Sequence, residues 1–278
     1  MWRKSSFTEQ DIDKTNCLVR KKCSKEYASR VIPFLGGILL LLLWQILSET
    51  GLVNRYVLPS PDRVFQVFMK MLLSGELLRD IGISFGRVLK GYGISLLLAF
   101  FLGSVRILFP GSARIFDGNL QFMRNVPPIA MMPLLILWFG IGETTKTVII
   151  VLASFFPVYL SIVKGFISVD EKLIEVGKAF GYSTVRSFWH ITLPAAMPDI
   201  LVGCRTGLGY AWRAIIGAEM IAASSGLGYR ILFSQQMART DKVIVGILAI
   251  GTVGILTDLL MGICVNHSLK GVARHGWE

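Results

Sequence analysis

Gly82-Ile83-Ser84-Phe85-Gly86 matches G-x-S-x-G, the spacing that lifts a serine hydroxyl onto a strand-to-helix elbow for attack on an acyl carbon. That chemistry needs a strand before the serine and Asp and His partners after it. Here the motif opens a long apolar tract, and the three histidines, His190, His267 and His275, stand at no relay or metal-ligand spacing. The match is therefore accidental. Four cysteines, Cys17, Cys23, Cys204 and Cys264, form neither a C-x-x-C nor a Cys/His cluster, which argues against a metal site or a disulfide framework. Gly177-Lys178 is followed by Ala179, where a phosphate-binding loop needs Ser or Thr. The expectation is a chain with no catalytic residue, no metal and no cofactor. Arg213 and Glu219 are different, because they fall within an apolar tract. An ionisable side chain placed there costs at least ~2.5 kcal/mol on insertion scales and by default marks a transport path or an internal pair. Either Arg213 helps an anion across, or Arg213 is a member of an internal ion pair, or Glu219 sits at the outer interface and is structural.

Composition says which elements must hold these residues. The 278 residues are 53% hydrophobic and 17% charged, with a mean hydropathy of +0.59, whereas soluble domains carry about 25% charged residues. This is a polytopic membrane protein. The net charge of +11 is scattered between apolar runs rather than gathered on one aromatic-studded patch, so it points to lipid headgroups and not to nucleic acid.

Six apolar tracts are predicted as spans: Val31 to Ser48, Val88 to Phe109, Asn125 to Gly142, Thr147 to Val163, Ala195 to Ala223 and Val243 to Cys264. The basic tail 1–30 is expected in the cytoplasm, followed by the first span and the start of an outer loop (31–57). An amphipathic outer segment (58–87) comes next, with Ser60 as N-cap and Pro61 at the first helical position. The core runs from 88 to 267 and a cytoplasmic tail from 268 to 278. Lys and Arg are more numerous on the side assigned to the cytoplasm, which sets the orientation. Pro127, Pro128 and Pro133 make the first half of the third span irregular, tolerated at membrane depth where protein or a cavity re-satisfies the backbone. Pro127 and Pro128 thus join Arg213 and Glu219 as candidate path residues. Gly203, Gly207 and Gly209 give the fifth span a flat face for close packing, and the sixth carries Asp258. No internal repeat appears, which counts against transporters built from duplicated halves.

One polar island, Glu175 to Pro194, interrupts the apolar tracts within the loop 164–194. Ser168 and Glu171 read as a capping box that starts a short helix near Val169. Gly181 is placed to end that helix in the left-handed conformation. A second helix starts from Ser183 and is predicted to stop before Pro194. The result is a helix, a glycine corner and a helix: a rigid knob between two spans.

The letters of this island resemble a known pattern. Glu175, Gly181 six residues on, then Ile191, Leu193 and Pro194 follow E-A-A, three residues, G, nine residues, I-x-L-P. This resembles the cytoplasmic loop of permease subunits of binding-protein-dependent ABC importers. Val176 and Gly177 depart from it, standing where two alanines are usual. VLPSPDRV, RNVPPIAMMPLLILWFGIGET and AEMIAASSGLGY look like the nitrate/sulfonate/taurine branch, closest to aliphatic sulfonate permeases. The resemblance covers roughly Leu58 to Leu260. It implies an all-α, six-span, type I ABC importer permease in a bacterial inner membrane, carrying a small organic anion. It also implies a homodimer, cytoplasmic ABC ATPase subunits seated on the loop residues Glu175, Gly181, Ile191, Leu193 and Pro194, and an extracytoplasmic solute-binding protein. Taurine, nitrate or a vitamin precursor is the alternative cargo, and an ATP-independent channel or secondary transporter is the rival of another class.

Overall fold

In a computed structural model, residues 36–50, 53–54, 56–109, 111, 118, 120 and 122–269 are described. The N-terminal tail and residues 270–278 of the C-terminal tail lie outside them, as do Cys17, Cys23 and His275. The chain divides into two units, residues 1–65 and 66–278, and each is taken by itself.

In the first unit, α1 (Gly36–Glu49) is a short apolar helix. Trp44 Nε1 donates to the Pro59 carbonyl at 3.0 Å and Ser48 Oγ to the Leu58 carbonyl at 3.3 Å. Leu58-Pro59 therefore folds back along α1. Helix α2 (Pro61–Leu73) begins in this unit and ends in the next. Its start is the predicted one: Pro61 takes the first helical position and Ser60 Oγ accepts from the Arg63 amide at 3.4 Å.

The second unit is entirely helical among its described elements. Gly75, at φ 74°, turns the chain into α3 (Glu76–Leu108). At 33 residues and 1.5 Å per residue this helix is about 50 Å long, and it starts twelve residues before the predicted span. The polar residues of its first turns are accommodated because Asp80, Ser84 and Arg87 find partners on other helices. The third predicted span is a 3-10 turn (Pro128–Met131) leading into α4 (Met132–Phe139). Pro127 is extended, so the proline-rich half is irregular as expected. After Gly140, at φ 73°, come α5 (Glu143–Ile167), α6 (Glu171–Ala179), α7 (Thr184–Ser187) with a π turn (Phe188–Thr192), α8 (Leu193–Ala222), α9 (Leu227–Gln236) and α10 (Thr240–Leu269). Helix α9 falls where sequence predicted only a loop. Leu227, Ile231 and Ser234 are buried on one of its faces, a spacing of four and three that is helical.

Three helices, α3, α5 and α10, are long and apolar enough to cross a membrane. Helix α8, with 30 residues, has the length but carries Asp199, Arg205, Arg213 and Glu219. Helix α1 and the stretch Pro128–Phe139 are shorter apolar pieces.

Close approaches fix the directions of these helices. Gly91 of α3 lies against Ile150 of α5, and Gly103 against Ile162, so α3 and α5 run parallel. A Cβ on Gly203 or Gly207 of α8 would overlap Ser161 or Val158 of α5, so α8 runs the other way. Trp212 beside Gly254 and Arg205 beside Gly262 make α10 antiparallel to α8. One end of the bundle therefore carries the island, and the far end carries the starts of α3, α5 and α10 and the end of α8. The flat face is made by Gly203 and Gly207 alone, because a Cβ on Gly209 would meet nothing within 4 Å. Gly207→Val is expected to destabilise the bundle by about 1–3 kcal/mol through overpacking, while Gly209→Ala stays within about 0.5 kcal/mol. Unfolding of the purified chain by SDS titration in mixed micelles would read the difference, and equal midpoints would reject the α5–α8 contact.

Candidate functional site

The island is built from two caps and a corner. Asp170, not Ser168, caps α6: its carboxylate accepts from the Lys172 amide at 3.0 Å. Helix α5 continues to Ile167, which leaves Ser168 on that helix's last turn, where its hydroxyl donates to the Lys164 carbonyl at 2.8 Å. Helix α6 ends as predicted at Gly181, φ 73°. The Tyr182 amide donates to the Gly177 carbonyl at 3.0 Å and the Gly181 amide to Lys178 at 2.9 Å, the paired bonds of a Schellman close. Ser183 then caps α7 by accepting from the Arg186 amide.

The second island helix does not stop at Pro194. The Leu193 amide reaches back to the Phe188 carbonyl, widening one turn to π geometry, and the chain passes without interruption into α8. Pro194 sits in the first turn of α8, and the widened turn before it is where the ladder adapts to the missing proline N–H. The knob is thus one piece with α8. On its other side the ring of buried Phe188 meets Phe166 of α5, centroids 5.3 Å apart, and Lys164 pairs with Asp199 at 3.0 Å.

Gly177 explains the departure from the alanine pair. It is the buried residue of α6, and a Cβ there would overlap Ile191 Cδ1. Ile191 therefore enters the space a side chain would occupy and locks α6 against the π turn. Glu175 and Pro194 are exposed, and Leu193 is partly covered. Around them Leu173, Val176, Phe180, Val185 and Trp189 are exposed, Phe180 to 78%. The island thus presents large apolar side chains on an otherwise charged, capped scaffold.

Glu219 lies at the far end of the bundle with 0% exposure. Its carboxylate accepts from Ser84 Oγ at 2.8 Å, from Arg87 Nη1 at 2.8 Å and from the Gly228 amide at 2.9 Å. Ser84 in turn accepts from the Leu227 amide at 2.9 Å. Arg87 also grips Glu143 through Nε at 2.9 Å and Nη2 at 2.7 Å and the Ser225 carbonyl at 2.7 Å. Lys146 holds the same Glu143 at 2.7 Å. Gly226, at φ 106°, can lie on the Glu219 carboxylate because it has no Cβ. The serine of the G-x-S-x-G match is therefore a hydrogen-bond bridge on a helix, not a nucleophile on an elbow. The network ties α3, α5, α8 and the loop before α9 together.

Arg213 stands apart from this network. It is exposed, lies over the Tyr210 ring at 5.8 Å, and lines a cleft of about 720 Å³ shared with Arg124, Pro128, Ser161 and Thr206. The neighbouring cation of α8, Arg205, is instead bound in a bidentate pair to Asp258, at 2.7 and 2.6 Å. The structure thus places Arg213 and Pro128 together on one cleft, and Glu219 elsewhere. Neither Pro127 nor Glu219 lines that cleft.

Residues 91–267 match the family model of binding-protein-dependent transport system inner membrane components. The chain belongs to this family. Among the relatives of this permease subunit is an aliphatic sulfonates transport permease protein, SsuC, of Bacillus subtilis, 35% identical over 93% of this chain and 94% of that protein. The protein of the same name in Escherichia coli is 37% identical over 84% and 89%. The taurine transport system permease protein TauC of Escherichia coli is 33% identical over 79% of this chain and 82% of that protein. A solved chain of the inward-facing MetNI methionine ABC transporter has the same fold, with a TM-score of 0.57 at 17% identity over 72% of this chain and 97% of that one. The subunit is accordingly a multi-pass membrane permease of an ABC importer with an all-α, type I fold. Besides α9, the sequence missed the Ser84–Arg87–Glu143–Glu219 network, whose members are up to 135 residues apart, and the joining of the island to α8.

Proposed function

We propose that this chain is the permease of an importer for small organic anions, with aliphatic sulfonates as cargo, working as a homodimer with two cytoplasmic ABC ATPases and an extracytoplasmic solute-binding protein. In this reading α1, α3, the stretch from Pro128 through α4, α5, α8 and α10 are six spans, and both termini and the island face the cytoplasm. The observation that carries it is the island itself. A corner fixed by Gly181, an exposed apolar surface around Phe180 and Trp189, and an unbroken run into α8 are what a part needs to receive a push and deliver it to a span. Glu175, Gly181, Ile191, Leu193 and Pro194 serve this coupling: Gly181 sets the corner, Ile191 locks α6 to the π turn, and Leu193 and Pro194 lead into α8. ATP hydrolysis belongs to the separate ATPase subunits. The sulfonate assignment rests on the two SsuC relatives, and TauC makes taurine, itself a sulfonate, the second reading.

The test is reconstitution. The permease, its ATPase and its binding protein in proteoliposomes are expected to take up radiolabelled ethanesulfonate only with internal ATP and external binding protein. Uptake by the permease alone, without either partner, would overturn the importer reading in favour of a self-sufficient channel.

A further inference from the structure

A second, smaller cleft, of about 280 Å³, is lined by Arg106, Arg124, Phe156, Tyr159, Leu160 and Val163. It shares Arg124, Phe156 and Leu160 with the larger cleft that holds Arg213. The two are therefore neighbours with a common wall. The helix registers give their order. Val158 lies level with Gly207 in the antiparallel α5–α8 pair, which puts Arg213 level with about Leu152. Gly103 lies level with Ile162 in the parallel α3–α5 pair, which puts Arg106 level with about Gly165. Leu152 to Gly165 on one helix is about 20 Å of rise. The clefts thus run along the bundle from Arg213, past Arg124, to Arg106 near the island end.

The lining has two chemistries. Three guanidiniums, with Ser161 and Thr206, offer charge and donors, whereas Leu152, Phe156 and Leu160 offer an apolar wall. Arg213 and Arg124 have no carboxylate partner among the described residues, in contrast to Arg205, which holds one, and to Arg87 and Arg230, which each hold two. An arginine at membrane depth is expensive, and a cationic cleft with low-dielectric walls concentrates small anions. A string of weak sites, rather than one strong one, also allows the ligand to leave.

We propose that Arg213, Arg124 and Arg106 form a track for an amphipathic organic anion of the alkanesulfonate class, its head group passing between guanidiniums while its alkyl arm lies on Phe156 and Leu160. The direction of travel, from Arg213 to Arg106, rests on the importer reading; the anion selectivity does not. Arg213 then sets specificity for an anionic head group, and the apolar wall sets it for a short hydrocarbon arm. Inorganic anions of the same charge would lack the second contact.

A full-length chain with its four cysteines replaced by serine and Thr206→Cys added tests the track directly. In detergent, the thiol is reacted with anionic sulfonatoethyl methanethiosulfonate and with cationic trimethylammonioethyl methanethiosulfonate. The expected result is an anion-over-cation rate ratio at least tenfold above that of a free thiol, the lower end of electrostatic focusing. Arg213→Gln and Arg124→Gln should each reduce that ratio, and Arg213→Lys should keep most of it. A ratio equal to that of the free thiol, or one unchanged by the double glutamine variant, overturns the track. Reconstituted uptake is a separate arm. Absence of ATP-dependent ethanesulfonate uptake by the unmodified chain would remove the importer reading while the charge preference still judged the track. Uptake intact in the double variant would overturn the track even if the importer reading held.

Discussion

Glu219→Ala is expected to cost the subunit about 3–5 kcal/mol of stability, the range for removing one partner of a buried ion pair. The network holds two carboxylates, Glu143 and Glu219, against Arg87 and Lys146. Deleting Glu219 leaves an excess positive charge in a site where Arg87 is only 11% exposed. It also orphans the Ser84 hydroxyl and the Gly228 amide, both of which donate to that carboxylate. Ser84→Ala removes a single bridge, one bond given to Glu219 and one accepted from Leu227, and should cost less, about 1–3 kcal/mol. Glu219→Gln is intermediate, because its amide keeps one acceptor but must turn a donor toward another donor. SDS titration in mixed micelles ranks the three variants. If Glu219→Ala unfolded at the same midpoint as the unaltered chain, the network would be decorative, and Glu219 would be free for a role in the path.

How far the sequence anticipated this structure depends on the range over which each feature is decided. The Gly181 corner was legible because Gly-Tyr-Ser carries its own instructions: a residue without Cβ for the left-handed turn and a hydroxyl two residues on for the next cap. The cap of α6 was misread because Ser168 and Asp170 both precede Glu171 at workable spacings. The choice between them is made by where α5 ends, and α5 runs one turn farther than its apolar tract suggested. Pro194 was read as a stop because proline removes a donor, yet at the start of α8 the lost bond is absorbed by a π turn that no local letter announces. The charges were harder still. Arg213 and Glu219 looked alike in a hydropathy profile, both being ionisable residues in one apolar helix. Their difference lies in which neighbours the fold supplies: Arg87 and Ser84, more than 130 residues away, for Glu219, and an open cleft for Arg213. Chain-distant pairing leaves no periodic trace, so the sequence could name the residues but not sort them.

Phe180→Asp should abolish stable association with the ATPase while leaving the spans intact. The side chain is 78% exposed at the apex of a capped loop, with Val176, Val185 and Trp189 also exposed on the island. A large aromatic side chain at the centre of such a surface is the kind of residue that costs at least about 2 kcal/mol when truncated in an interface, or roughly 30-fold in affinity. An introduced carboxylate adds desolvation to that loss. Because the residue touches solvent in the free subunit, its substitution should move the SDS midpoint by no more than about 0.5 kcal/mol. Gly181 provides the geometric counterpart. Its φ of 73° costs an ordinary L-residue about 1–2 kcal/mol, whereas asparagine visits this region more readily. Gly181→Val is therefore expected to swing α6 away from Ile191 and weaken ATPase binding, and Gly181→Asn to retain most of it. The order matters more than either value: side-chain volume alone would harm both variants, while backbone strain separates them. Co-purification of the ATPase with each variant from membranes measures it, and equal binding by Gly181→Val and the unaltered chain would show that the corner does not position the docking surface.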